Sequence, residues 1–342
     1  MREWKYSEWR RAMWQRDWTS KLVEKALALP RRVQAPLTAL RSTLPTLRGW
    51  AAYRCELLAA CLYRVDPVAA WTDGTCSVFR LLRPNDSRHF LYRYAGVAEA
   101  LVDFDARRID LWPLSSDCTE ATLDHFLVDV LLPGILDHEG DLVLHAGAVV
   151  IDGAAAVLVG ESGRGKSTLT ASFFAEGHTV LSDDGIIVTD TGNGTSVEAV
   201  YPGIRLLPGT LSDLFASPVP TTDVAHYATK RRIVPDARMS SAGFPVAAMF
   251  FLSEPSGAGW VSVAPMSRAE ACMGLVSKSF ALDPSDKDRA RGRIEQASRV
   301  ANTLPAYALS YPRKISSLPK VRDAIIGALA VGGPRDRPFS VR

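Results

Sequence analysis

Eight consecutive residues, Gly160-Glu161-Ser162-Gly163-Arg164-Gly165-Lys166-Ser167, satisfy the pattern G-x-x-x-x-G-K-[ST] without a mismatch. Each demanded position has a physical reason. Gly160 and Gly165 permit the backbone dihedrals of a loop that wraps an anion with N–H groups. Lys166 brings a compact positive charge to the outer phosphates, and the Ser167 hydroxyl is an oxygen ligand suited to Mg²⁺. Residues 160–168 are expected to hold the phosphates of a nucleoside triphosphate with its Mg²⁺.

A loop of this kind needs further groups to do more than bind. Asp183 and Asp184 follow the short segment Gly177-His178-Thr179-Val180-Leu181-Ser182. A strand there would bring both carboxylates to its carboxyl end, the usual position of a ligand crevice in an α/β sheet. One carboxylate can organise the metal, and a second near the γ-phosphate can take the proton of an attacking hydroxyl. The opposing reading is an Asp-Asp turn between two strands, with Gly185 as the turn residue. His145 stands in an apolar run upstream of the loop, where a histidine is either a satisfied core residue or a functional group. The triplet Lys230-Arg231-Arg232 and Arg205 are basic groups in an irregular stretch that could close on phosphates as a charge clamp.

The elements that must position these groups follow from apolar periodicity and turn residues. AAAVLVG (154–160) reads as a buried strand feeding the loop, and residues 167–176 as a helix ending at Gly177. Asp152-Gly153 between two apolar runs predicts a hairpin. Strands are expected at 179–182, 185–189, 196–201, 245–252 and 305–311, and helices at 268–280, 285–303 and 319–330. The helix at 268–280 is opened by the capping box Ser267-x-x-Glu270. Residues 203–244 read as irregular. Residues 119–138 have helical periodicity interrupted by Pro133. Upstream, 51–115 resembles a small β-containing region with strands at 76–82, 89–97, 99–104 and 108–114, and a turn at Asp105. Residues 331–342, with Gly332-Gly333-Pro334, are expected to be a disordered tail.

Composition bounds the setting. The net charge of the 342 residues is only +3, which makes no case for nucleic acid. The first fifty residues nevertheless hold eleven Lys/Arg against four Asp/Glu and five of the eight tryptophans. They form a basic, Trp-rich arm of helical character, fitted to pack on its own body or a sister subunit, or to lie on an acidic partner or an anionic membrane. Five cysteines (Cys55, Cys61, Cys76, Cys118, Cys272) without a C-x-x-C pair read as reduced thiols. No apolar run reaches the length of a membrane span, and no signal-peptide core is present, so a cytoplasmic location is expected.

The segment from His145 to Asp184 resembles the catalytic core of bacterial HPr kinase/phosphorylase and its HPr-kinase-related relatives. It shares the histidine-led strand pair, the P-loop, the helix, then Gly-His and Asp-Asp at matching spacing. A looser likeness extends from 119 to about 330. The resemblance implies an α/β P-loop kinase domain related to ATP-using phosphoenolpyruvate carboxykinase, at 141–330, behind a smaller N-terminal α+β region at 51–140. It implies transfer of the ATP γ-phosphate to a serine hydroxyl, with Asp183 as general base, Lys166 and His145 at the reacting phosphate, and Ser167 and Asp184 arranging Mg²⁺.

The chain also departs from that family. Thr168 stands where HPr kinases carry glutamate, and their downstream arginine- and glycine-rich signature has only a faint echo in Val200-Tyr201-Pro202-Gly203-Ile204-Arg205. A divergent relative with an acceptor other than HPr fits better, a protein or peptide such as the precursor modified by kinases of ribosomal-peptide clusters. A homo-oligomer is compatible with this reading, and nothing in the sequence sets the oligomeric state. Two alternatives stay open: a small-molecule kinase, and a nucleotide-binding regulatory protein without phosphotransfer. A carboxykinase-like enzyme ranks last, because the metal- and oxaloacetate-binding residues it needs are not found.

Overall fold

Short runs rich in aromatic and β-branched residues make the N-terminal unit a single sheet. The computed structural model describes residues 33–36, 50–55, 67–73, 76–82, 88–94, 96–190, 194–254, 259–330 and 339–341. Apart from 33–36 and Trp50, the expected Trp-rich arm lies outside them. The chain divides into two compact units, Met1–Arg41 with Leu47–Cys118, and Ser42–Thr46 with Thr119–Arg342.

The first unit contains β1 (Val33–Pro36), β2 (Ala51–Cys55), β3 (Pro67–Asp73), β4 (Cys76–Leu82), β5 (His89–Tyr94), β6 (Ala98–Asp103) and β7 (Arg108–Pro113), in the spatial order β1-β2-β7-β6-β5-β4-β3. The last four match the expected strands, and the first three were not foreseen. At the expected β6–β7 turn the Asp103 carboxylate accepts the N–H groups of Asp105 and Ala106 at 3.0 and 2.9 Å, a local bond that stabilises the reversal. Leu91, Leu101 and Trp112 form a small core.

The second unit opens on α1 (Glu120–His125), capped by the Thr119 side chain, then a π-helical stretch at Phe126–Leu131, then α2 (Leu132–Glu139). The expected interruption at Pro133 does not occur. The π-stretch shifts the hydrogen-bond register just upstream, so Pro133 falls in a first-turn position where a missing N–H costs little. Next come β8 (Leu142–Ile151), β9 (Ala154–Val159), α3 (Lys166–Ala175), β10 (Thr179–Ser182), β11 (Gly185–Asp190) and β12 (Thr195–Ala199). Asp152 and Gly153 join β8 to β9 with φ of 49° and 83°, the two positive dihedrals that a type I′ hairpin requires.

Residues 203–244, read as irregular, carry structure of their own: β13 (Arg205–Leu206), α4 (Pro208–Leu214), β14 (Thr221–Asp223) and β15 (Arg231–Ile233), the three strands forming a small sheet. Runs this short have no readable periodicity, which is why they escaped. The chain continues through β16 (Phe244–Leu252), β17 (Val261–Pro265), α5 (Arg268–Ser277), α6 (Lys287–Thr303), β18 (Ala306–Ser310), α7 (Leu318–Ala330) and β19 (Phe339–Val341). The capping box of α5 is present in both directions. Within the tail expected to be disordered, β19 pairs with the edge strand β17, Val261 opposite Val341; the rest of 331–342 lies outside the described residues. No helix among the described residues is long and apolar enough to cross a membrane.

The principal sheet is organised by β8. One edge pairs with β9, the other with β11 over residues 142–145 and with β10 over 148–150. The pairings β8–β9, β9–β16, β16–β12, β12–β11 and β11–β8 close a ring. Strand alternation then sends successive residues to opposite faces. Val149, Ile151, Ala156 and Leu158 pack with Leu169 and Phe173 of α3 and Val321 and Ile325 of α7. Leu142, Leu144, Ala148 and Val157 pack with Ala271 and Leu275 of α5 and Ala297 and Val300 of α6. Helices thus cover both faces, giving a mixed α/β architecture.

A buried ion pair ties α2 to α6. Arg293 Nη1 lies 3.0 Å from both oxygens of Asp137, Arg289 Nη2 lies 3.2 Å from one, and Asp137 is 1% exposed. Removing the carboxylate strands two cations, one of them fully buried. Asp137→Ala is therefore expected to destabilise the protein by about 3–5 kcal/mol, read as a lowered urea midpoint; a shift below about 1 kcal/mol would contradict this account.

Candidate active site

The P-loop grows out of β9, which is buried along its length, and delivers α3 directly at Lys166. Gly165 has φ of 96° and a Cβ there would sit 2.9 Å from the Tyr311 hydroxyl, so both backbone and space require glycine. Gly160 has a different reason from the expected one. Its φ is not positive, and the residue is small because a Cβ would come within 3.1 Å of Leu252 Cβ. No side chain caps α3, and its first turn, Lys166 to Thr168, lines the cleft described next.

Lys166 is 5% exposed and donates to the carbonyl oxygens of Gly160 and Glu161 at 2.7 and 3.2 Å. Burial lowers its pKa, opposed by the Asp184 and Asp183 carboxylates nearby. An open cleft of about 680 Å³ lies over this loop, lined by Ser162, Gly163, Gly165, Lys166, Ser167 and Thr168 and, opposite, by His145, Asp184, Arg205 and Lys230. Glu161 and Arg164 do not line it. They pair outward with Lys278 and Glu254 and brace the loop from behind.

Asp183 and Asp184 occupy the turn between β10 and β11, as the turn reading expects, and Asp184 also lines the cleft. The strand before them does not flank β9, as a P-loop strand order could have had it; β8 lies between. Register explains how the groups still converge. On β8, His145 pairs with Gly185 and Ala146 pairs with Val159, the last residue before the loop. His145 therefore stands between the P-loop and the Asp-Asp turn. The Ser182 hydroxyl accepts the N–H groups of Asp184 and Gly185 at 3.2 and 3.3 Å and holds the turn.

The two carboxylates differ. Asp183 is 1% exposed and lies behind Asp184. Its Oδ2 accepts the Arg205 backbone N–H at 3.3 Å, while Oδ1 is buried with no hydrogen-bond partner. Burial, reinforced by the neighbouring Asp184, pushes its pKa up despite Arg205. Asp184 opens on the cleft. His145 Nδ1 lies 3.0 Å from its Oδ1 and Arg205 Nη2 lies 2.5 Å from its Oδ2. Burial would raise its pKa, yet Arg205 and His145 outweigh burial and hold it far below the ordinary carboxylate range. Two adjacent acids driven apart in this way are suited to different tasks.

The Ser167 hydroxyl and the Asp184 carboxylate, both lining the cleft, are oxygen donors that fit Mg²⁺ chemically. Among the described residues no cluster of three or more His, Cys, Asp or Glu is placed to hold a metal.

The basic triplet is divided. Lys230 lines the cleft, Arg231 pairs with Asp223, and Arg232 turns inward to Asp129 at 3.1 Å. His178 packs its ring on Phe173 away from the cleft. Three residues that sequence reasoning passed over belong to the site's surroundings. Asp129 lies 3.0 Å from Arg205, Tyr201 lies under the Arg205 and Arg232 guanidinium groups, and the Lys278 carbonyl accepts the His145 N–H at 2.7 Å. Of these only Asp129 carried a signal, a carboxylate inside the apolar run Phe126-Leu127-Val128-Asp129-Val130-Leu131.

No protein-family model matches the chain, and no curated protein matches it. Among solved structures 89 chains match. One is the Hpr(Ser) kinase/phosphatase from Coxiella burnetii, aligned over 56% of this chain and 99% of that one at 15% identity and a TM-score of 0.31. A superposition that loose carries nothing about individual residues, so the functional reading rests on the cleft itself.

Proposed function

We propose that the chain is an ATP-dependent kinase that transfers the γ-phosphate to a hydroxyl of a protein or peptide acceptor, most simply a serine. The observation that supports this is the convergence at one cleft of Lys166, Ser167, an uncapped helix N-terminus, Asp184 and Arg205, with Asp183 buried beside Arg205. Residues 160–168 hold the phosphates. Lys166 leaves its own loop carbonyls for the outer phosphates, and Arg205 and His145 face the charge that develops on the transferring group. The acceptor oxygen attacks the γ-phosphorus as the bond to the bridging oxygen breaks and ADP leaves. Asp183, the more basic carboxylate, takes the hydroxyl proton once the Arg205–Asp184 contact opens the way to it. Mg²⁺, when bound through Ser167 and Asp184, would supply positive charge to the phosphates.

Incubation of the full chain with γ-labelled ATP, Mg²⁺ and serine-containing peptides, a peptide precursor among them, is expected to label peptide. Label on metabolites alone would favour a small-molecule kinase. Nucleotide binding with no transfer to any acceptor would sink the kinase reading in favour of a regulatory binder.

A further inference from the structure

Behind the cleft lies a carboxylate that none of the chemistry above uses. Asp129 sits in the π-helical stretch Phe126–Leu131 among buried apolar neighbours, and its side chain is 3% exposed. One of its oxygens, Oδ2, gathers three basic groups: Arg205 Nη1 at 3.0 Å, Arg232 Nη2 at 3.1 Å and the His125 ring. Burial of the carboxylate is opposed chiefly by Arg205. A buried acid with basic partners is rarely needed for stability, since apolar residues of similar volume serve as well. Something else has to account for an aspartate in an apolar helix.

Arg205 shows what that is. Its guanidinium has two edges in use, Nη1 on Asp129 and Nη2 on Asp184, while Nε is buried with no hydrogen-bond partner, 3.9 Å from the equally unpartnered Asp183 Oδ1. Asp184 and Arg205 line the cleft and Asp129 does not. An arginine tied only to Asp184 would lose its anchor as soon as that carboxylate took another partner. Tied also to Asp129 from behind, and set over the Tyr201 ring at 5.9 Å, it keeps its place. A cation assists transfer only when held in position beforehand.

We propose that Asp129 is a positioning residue, fixing the Arg205 guanidinium in the cleft wall so that it meets the terminal phosphate of a nucleoside triphosphate held on the P-loop. This rests on the reading that residues 160–168 bind nucleotide.

The test measures, on the full chain with Mg²⁺, dissociation constants for ADP and for a non-hydrolysable ATP analogue by calorimetry. The wild type is expected to favour the triphosphate. Arg205→Lys should reduce that preference about tenfold, the scale of one charge-assisted contact. Asp129→Asn should reduce it by the same factor with ADP affinity unchanged, and the double variant should show no further loss. A merely structural Asp129 would lower thermal stability and leave the preference intact. If Asp129→Asn does not fold, Asp129→Glu, which keeps the charge but displaces it, carries the same comparison and is expected to lose part of the preference. Undiminished preference in the folded Asp129 variant, or losses that add in the double variant, overturns the proposal. Absence of any nucleotide binding by the wild type would instead overturn the reading of the P-loop.

Discussion

Lys166→Ala is expected to reduce phosphoryl transfer by about three orders of magnitude and to weaken nucleotide binding at least about tenfold. Lys166 is the one P-loop side chain whose charge is enclosed: 5% exposed, flanked by Asp183 and Asp184, with Nζ held on the Gly160 and Glu161 carbonyls. Those carbonyls belong to its own loop, so the ammonium can exchange them for phosphate oxygens without disturbing the core. For the same reason the variant should fold, and its unfolding midpoint should stay close to that of the wild type. Lys166→Arg is the informative control. A planar, larger guanidinium in a site built for a compact ammonium should restore charge without restoring rate. Calorimetric binding and label transfer measured side by side check both parts. Unchanged affinity and turnover in Lys166→Ala would remove the P-loop from the chemistry altogether.

What was legible in the sequence is what short-range physics controls. The Asp152-Gly153 hairpin, the strand and helix on either side of the glycine-rich stretch 160–165, the Ser267–Glu270 capping box and the long apolar strands all declare themselves within a few residues. Three things did not. Pro133 was read as a break, because a π-stretch has no signature in apolar periodicity. The strands at 205–206, 221–223 and 231–233 are defined only by pairing with one another, and that pairing is what turns Arg232 inward and Arg231 outward. The third is electrostatic. Arg205 was visible only as one basic residue in an irregular stretch, whereas its role comes from Asp129, Asp183 and Asp184, which reach it from separate elements. Spacing along the chain cannot reveal a cation shared by three carboxylates. Asp129 alone, isolated in an apolar helix, could have prompted a search for its partner.

Asp183→Asn and Asp184→Asn are expected to fail in different ways, and the difference assigns their roles. Two physical criteria pull against each other here. Basicity favours Asp183 as the proton acceptor, because burial raises its pKa while Arg205 and His145 hold Asp184 far below the ordinary range. Access favours Asp184, which lines the cleft while Asp183 lies behind it. We give basicity the greater weight. A carboxylate clamped by Arg205 and His145 gains little by accepting a proton, whereas access changes once Asp184 takes a partner other than Arg205. Asp183→Asn should then lower transfer by about 10³-fold while nucleotide affinity stays within about threefold, since an amide preserves the shape. Asp184→Asn should raise the Mg²⁺ concentration needed for half-maximal rate and retain more of the rate at saturating metal. The opposite pattern would exchange the two roles. Full transfer by purified Asp183→Asn would exclude it as the base. The Mg²⁺ titration carries the decision, because a lost base cannot be replaced by more metal, whereas a lost metal ligand can be offset by it.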